Sequence, residues 1–176
     1  LPAELWETIA GDAARESALW RDCLRPRERW ERHPVFSPLG EVRYALGLET
    51  IYEGYLVHYG RPRLFEPPDE DTALLLGDYL YAHGVARISA LHEVAAVADL
   101  AELISLCSQL RAEGGDGDGP LWAATAALLG RGALEPARTA LRLRSDPRPL
   151  DEAARTAAGD EPVEAALAAH AARGTA

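Results

Sequence analysis

The chain of 176 residues contains no lysine, no methionine and no asparagine. Every one of its 18 basic residues is therefore arginine, a pattern that fits the codon bias of a GC-rich genome better than a functional choice. There are two cysteines, Cys23 and Cys107, too few for a disulfide scaffold and too far apart for CxxC metal or redox chemistry. No apolar run approaches the ~18 residues needed to span a membrane, and Leu1–Trp6 lacks the charged and apolar regions of a signal peptide. These absences lead to the expectation of a cytoplasmic protein with reduced thiols. Positive charge is also scarce. Net charge is −10, shared equally between the two halves, so a sequence-independent nucleic-acid surface or an anionic-membrane surface is excluded as an expectation.

What is present is helical periodicity. Hydrophobic residues make up 48% of the chain, enough for one folded domain. Leu5, Ile9, Ala13, Leu19, Trp20 and Cys23 share an apolar face that Pro26 ends. Ser37-Pro38 reads as a helix start, and Val42 to Tyr59 continues to Gly60 before Arg61-Pro62 breaks the pattern. Asp69-Glu70-Asp71 places negative charge at the start of a helix reaching Ser89, apolar on all sides and so expected to be central. Val94–Arg111 is a further helix. Residues 114–120, Gly-Gly-Asp-Gly-Asp-Gly-Pro, read as a flexible loop without the ligand spacing of a calcium site. Four more helical segments follow, and the Ala-rich stretch 160–176 is expected to pack weakly or fray. The expected fold is a compact all-α multi-helix bundle over residues 1–176, with seven or eight helices and no strand in 38–111.

Most chemical motifs are missing. HExxH, GxSxG, the P-loop and GxGxxG do not occur, and His33, His58, His83, His92 and His170 have no i,i+4 pair. One stretch stands apart. Glu49 and Glu53 lie one helical turn apart, so both carboxylates leave the same face. Gly60-Arg61-Pro62 follows, and then Leu75-Leu76-Gly77-Asp78-Tyr79-Leu80.

This succession resembles the trans-isoprenyl diphosphate synthases, all-α enzymes that lengthen prenyl chains. Their DDxxD motif is followed by an RRGxP turn and by a helix reading AxLxGDxLL. Aligning Gly60-Arg61-Pro62 on GxP brings Gly77-Asp78 onto GD without a gap, and Glu49 and Glu53 onto the outer positions of DDxxD. The resemblance covers about residues 38–113 and implies an abridged isoprenoid synthase-like fold. It implies Glu49 and Glu53 as candidate Mg²⁺ ligands, and Arg61, Arg63 and Asp78 as candidate substrate-binding residues, with arginines the groups that hold a diphosphate. Asp78 is expected to be buried and paired with an arginine, a tyrosine hydroxyl or a backbone N–H.

The departures from the family pattern shape the functional expectation. Thr50 replaces an aspartate, His58 and Tyr59 stand where two arginines would be, and no DDxxD occurs anywhere. The chain is therefore expected to be a degenerate, non-catalytic prenyl synthase-like subunit that binds a catalytic partner subunit or a prenyl-like apolar ligand. The alternatives are a divergent Mg²⁺-dependent transferase or lyase acting on a prenyl diphosphate, and a ligand-free homodimeric module. Val85, Ile88, Val94, Val97, Leu100 and Ile104 are the expected dimer-forming residues.

Overall fold

The computed structural model describes residues 2–174. Among them are nine α-helices: α1 (Pro2–Glu16), α2 (Ala18–Asp22), α3 (Ala45–Tyr59), α4 (Glu70–Ser89), α5 (Val94–Glu113), α6 (Asp118–Leu128), α7 (Glu135–Arg144), α8 (Arg148–Ala158) and α9 (Asp160–Ala171). The all-α expectation holds. The only β-type pairing among the described residues is an isolated antiparallel bridge between Leu24 and Phe65, flanked by Arg25 N–H to Leu64 O at 2.9 Å.

Local chemistry moves two boundaries from their expected places. The first apolar stripe is split into α1 and α2 because Ser17 is extended (φ −152°) and its side chain accepts the Leu19 N–H. The helix expected from Pro38 begins only at Ala45. Ser37–Leu39 and Val42–Tyr44 are short 3₁₀ turns, and Gly40 between them is extended against the Ala126 carbonyl, where a Cβ would lie 2.2 Å from the oxygen. Asp69 caps α4 as its composition suggests, accepting the Thr72 N–H at 2.7 Å.

The central helix is α3, not α4. Every residue from Gly47 to Val57 is buried, and α3 contributes to both of the hydrophobic clusters. The larger joins α3 to α5, α6, α8 and α9 around Tyr52, Leu100, Trp122 and Leu150; the smaller joins α1 to Val57, Leu64, Phe65, Leu76 and Leu80. In α4 the inward face is Leu76, Gly77, Leu80, Gly84 and Ile88, whereas Leu74 and Leu75 are each 56% exposed. An all-round apolar pattern marks a buried helix only when neighbours cover every side; here α4 has one uncovered.

α3 and α4 run antiparallel and pack closely along a glycine seam. Gly47 lies against Ile88 and the Gly84 carbonyl, and Gly54 against the Gly77 carbonyl and Leu80. Gly47 and Gly54 are seven residues apart, as are Gly77 and Gly84. That shared period of two helical turns puts each pair on one face and lets the backbones approach.

Two other segments differ from their composition. The Gly/Asp stretch is loop only over residues 114–117; Gly114 (φ +65°) ends α5 in the left-handed region and α6 starts at Asp118. The Ala-rich end is helical through Ala171 in α9, with Val163 and Ala166 buried. Its last turn is tied down by polar contacts: Arg173 Nη2 donates to Glu31 Oε2 at 2.8 Å, and the Arg61 N–H to the Arg173 carbonyl at 3.3 Å. Thr175 and Ala176, the end of the stretch expected to fray, lie outside the described residues. Both cysteines are buried and unpaired, and no described helix is long and apolar enough to cross a membrane.

Candidate functional site

Glu49 and Glu53 project from one face of α3, as their spacing requires, but that face meets the α3–α4 connection rather than a cavity. Both residues are 0% exposed, as is Arg63. Arg63 lies between the two carboxylates. Its Nη1 donates to Glu49 Oε2 at 2.5 Å and its Nε to Glu53 Oε2 at 2.8 Å. The remaining oxygens accept backbone donors: Val35 N–H (3.2 Å) and Ser37 N–H (3.1 Å) reach Glu49 Oε1, and Arg63 N–H and Leu64 N–H, both at 2.8 Å, reach Glu53 Oε1. The guanidinium also donates to the carbonyls of His33 and Glu49, both at 3.2 Å. Its Cζ lies 4.6 Å from the Trp6 ring centroid and 5.0 Å from that of Tyr52. Burial by itself would lower the Arg63 pKa, but the charges of Glu49 and Glu53 outweigh it and raise it.

A Mg²⁺ site needs carboxylate oxygens free to face a hydrated ion in octahedral geometry. Here all four oxygens are engaged by six donors, water is excluded, and a cation already lies between the two groups. The arrangement does not fit Mg²⁺. Among the described residues no group of three or more His, Cys, Asp or Glu side chains is placed to hold a metal.

The other candidates disperse. Arg61 points outward with its side chain 59% exposed and lies 3.7 Å from Glu31. Asp78, expected to be buried, has its side chain 67% exposed, and its partner is His58, Nε2 to Oδ1 at 3.3 Å. Gly77 turns inward against His58 while the next residue, about 100° further round the helix, faces out. Arg61, Arg63 and Asp78 therefore do not converge on one ligand.

Sequence reasoning missed the partner of the Glu pair, although a signal was there. Two carboxylates flanked by Leu48, Ile51, Tyr52 and Leu56 are costly to bury in a core unless a cation or hydrogen-bond donors pair with them. It also missed a polar cluster drawn from α3, α5, α6 and α9. Tyr55 OH donates to Asp118 Oδ2, Arg111 Nη2 donates to Tyr55 OH and to Asp118 Oδ2 at 2.5 Å each, and His170 Nε2 lies 3.5 Å from the same oxygen. Tyr52 OH and His170 Nδ1 are 2.9 Å apart. Burial would raise the Asp118 pKa, but hydrogen bonds from His170 and Tyr55 and the charge of Arg111 hold it well below the usual carboxylate range. Burial, reinforced by Asp118, pushes the Tyr55 phenol above its ordinary value. Asp118 thus stays a carboxylate and Tyr55 a phenol at neutral pH, which suits a charge-satisfied tie between helices rather than proton transfer. A polar cavity of about 300 Å³ lies beside the cluster, bounded by Gly60, Asp116, Arg173 and Gly174.

A second cavity has the opposite character. It measures about 340 Å³ and lies between α1, the 3₁₀ turns and the start of α3. Leu5, Trp6, Pro34, Pro38, Val42 and Leu46 line it, with Glu4, Thr8 and Ser37 supplying the polar groups. Trp6 is shared: it borders this groove and also stacks on the Arg63 guanidinium. Comparison with family models, curated proteins and solved structures returns no match for this chain.

Proposed function

We propose that this chain is a non-catalytic, prenyl synthase-like helical module that works by binding an apolar, prenyl-like ligand. The observation that carries this reading is the groove of about 340 Å³ over Trp6, whose size falls within the usual range of small-molecule sites and whose walls are predominantly apolar. The non-catalytic part of the reading is supported by the engagement of Glu49 and Glu53 with Arg63, which takes up the carboxylates that the family resemblance implies as Mg²⁺ ligands. The test has two arms. Titration with geranylgeraniol, followed by tryptophan fluorescence, is expected to saturate in wild-type protein and to weaken at least tenfold in Leu46→Glu. Incubation with Mg²⁺, isopentenyl diphosphate and allylic diphosphates is expected to give no elongation. Robust elongation, or the absence of any saturable binding, overturns the proposal.

A second reading, a partner subunit or second copy docked on the outer face of α4 and α5, draws on the exposure of Leu74, Leu75 and Val94, the last at 82%. Ile88 and Leu100 do not belong to that face, because both are buried in the core at 1% and 0% exposure.

A further inference from the structure

The carboxylate pair on α3 holds the charge pattern of a cation site, and the chain supplies the cation itself. We propose that the Arg63 guanidinium is the permanent cation of the Glu49–Glu53 site, so that the site is specific for a guanidinium group and the protein neither binds nor responds to divalent cations there. This goes beyond the proposed apolar ligand, since a module of that kind could be either dependent on or independent of Mg²⁺.

The geometry selects a guanidinium over a metal ion in three ways. First, the two acceptors are reached by different nitrogens of one planar fork, Nη1 to Glu49 and Nε to Glu53, while Nη2 takes the Glu49 carbonyl. A compact spherical ion has no such directional donors. Second, the faces of the fork are covered by the Trp6 and Tyr52 rings at 4.6 and 5.0 Å. Aromatic faces accept a weakly hydrated planar cation and supply no ligand to a metal that keeps its waters. Third, the oxygens turned away from Arg63 are taken by the N–H groups of Val35, Ser37, Arg63 and Leu64. Those bonds would have to break before a metal could take both carboxylates with the oxygens it needs.

The arrangement also ties together segments that are distant in sequence. Through Arg63 and its two partners, α3 is joined to the 33–37 segment, to residues 63–64 and to Trp6 on α1, which borders the apolar groove. The chain's own arginine supplies the positive charge that holds these segments together.

Two measurements test the proposal. In wild-type protein, Mn²⁺ is titrated while amide resonances are followed by NMR. Signals of Glu49, Glu53 and Arg63 are expected to broaden no more than those of other buried amides, and Mg²⁺ is expected to leave the thermal midpoint unchanged. Selective broadening at Glu49 and Glu53 overturns the proposal. In Arg63→Ala the midpoint is expected to fall by roughly 10 °C, and about 10 mM methylguanidinium is expected to restore part of it where equal Mg²⁺ does not. Rescue by Mg²⁺ equal to or better than that by methylguanidinium overturns the proposal, as does the absence of any preference for methylguanidinium over tetramethylammonium in a folded variant. If Arg63→Ala does not fold, the wild-type Mn²⁺ titration decides. Loss of geranylgeraniol binding with no Mn²⁺ effect would count against the proposed function alone.

Discussion

Gly47 and Gly84 face each other across the α3–α4 seam. A Cβ on Gly84 would come within 3.0 Å of the Gly47 carbonyl oxygen and 2.4 Å of Ile51 Cγ1, and one on Gly47 would lie 3.2 Å from the Gly84 carbonyl oxygen. The two helices are as close as their backbones allow at this point, and the buried run of α3 depends on that closeness.

Gly84→Ala is accordingly expected to destabilise by about 1–3 kcal/mol, the usual cost of overpacking a tight core. Gly11→Ala is the matched control. Gly11 is also helical, but its nearest neighbour is the end of the Arg15 side chain at 3.3 Å, which can move aside. There the better helix propensity of alanine should leave stability unchanged or raise it by up to about 1 kcal/mol. Urea denaturation of both variants checks the contrast; equal effects would contradict the close seam.

Asp78→Ala is expected to cost less than about 0.5 kcal/mol, the size of an ordinary surface substitution. The side chain is 67% exposed and is paired with a histidine at 3.3 Å. A loss near 3 kcal/mol by chemical denaturation, roughly the cost of an orphaned buried charge, would show that the carboxylate is buried after all.

Acid sensitivity should appear at the histidines first. His58 and His83 both titrate below the ordinary 6.5, each chiefly because burial disfavours the imidazolium, with Arg87 adding repulsion at His83. The unfolded chain then binds more protons than the folded one below about pH 6.5, so stability rises with pH up to that value and falls as pH drops beneath it. Denaturation midpoints at about pH 7.5 and about pH 5.5 are expected to differ in that direction, and His58→Gln should narrow the difference. An unchanged or reversed difference in the variant would contradict the assignment.

Asp99 and Arg138 form a second buried ion pair, Nη1 to Oδ1 at 2.8 Å, with the Gly130 N–H donating to the other carboxylate oxygen at 2.8 Å. Arg138→Ala leaves Asp99 without its cation inside the α5–α7 contact and is expected to cost about 3–5 kcal/mol. Arg148→Ala, at a side chain 82% exposed and paired locally with Asp146, is expected to cost about 0–1 kcal/mol. Comparable losses in the two variants would remove the distinction.

The docking reading has its own test. Leu75→Glu and Val94→Glu together change exposed positions on α4 and α5 and should leave folding stability nearly intact. If that face joins two copies, wild-type protein sediments as a dimer at tens of micromolar, roughly the range of a standard interface, and the double variant as a monomer. A monomeric wild type ends the homodimer reading.

Residues near in sequence reported the helical class and several of its boundaries, although not the break at Ser17 or the start of α3 at Ala45. Helical periodicity established the all-α class, Arg61-Pro62 and Pro67-Pro68 bracketed the connection between α3 and α4, and Asp69 marked a helix start. The i,i+4 spacing of Glu49 and Glu53 correctly placed both carboxylates on one face. Each inference needed only the geometry of a helix or the fixed φ of proline, and both are local properties. What those side chains meet is not local. Asp78 faces out and Gly77 in because α3 covers only one side of α4. Asp118, in a stretch whose composition suggests a solvated loop, joins Tyr55, Arg111 and His170 because three other helices bring those side chains beside it. The fate of the Glu pair turned on the α3–α4 connection, which brings Arg63 back beside both carboxylates. Spacing decides the direction in which a carboxylate leaves its helix; only the tertiary path of the chain decides whether it meets water, a metal or an arginine.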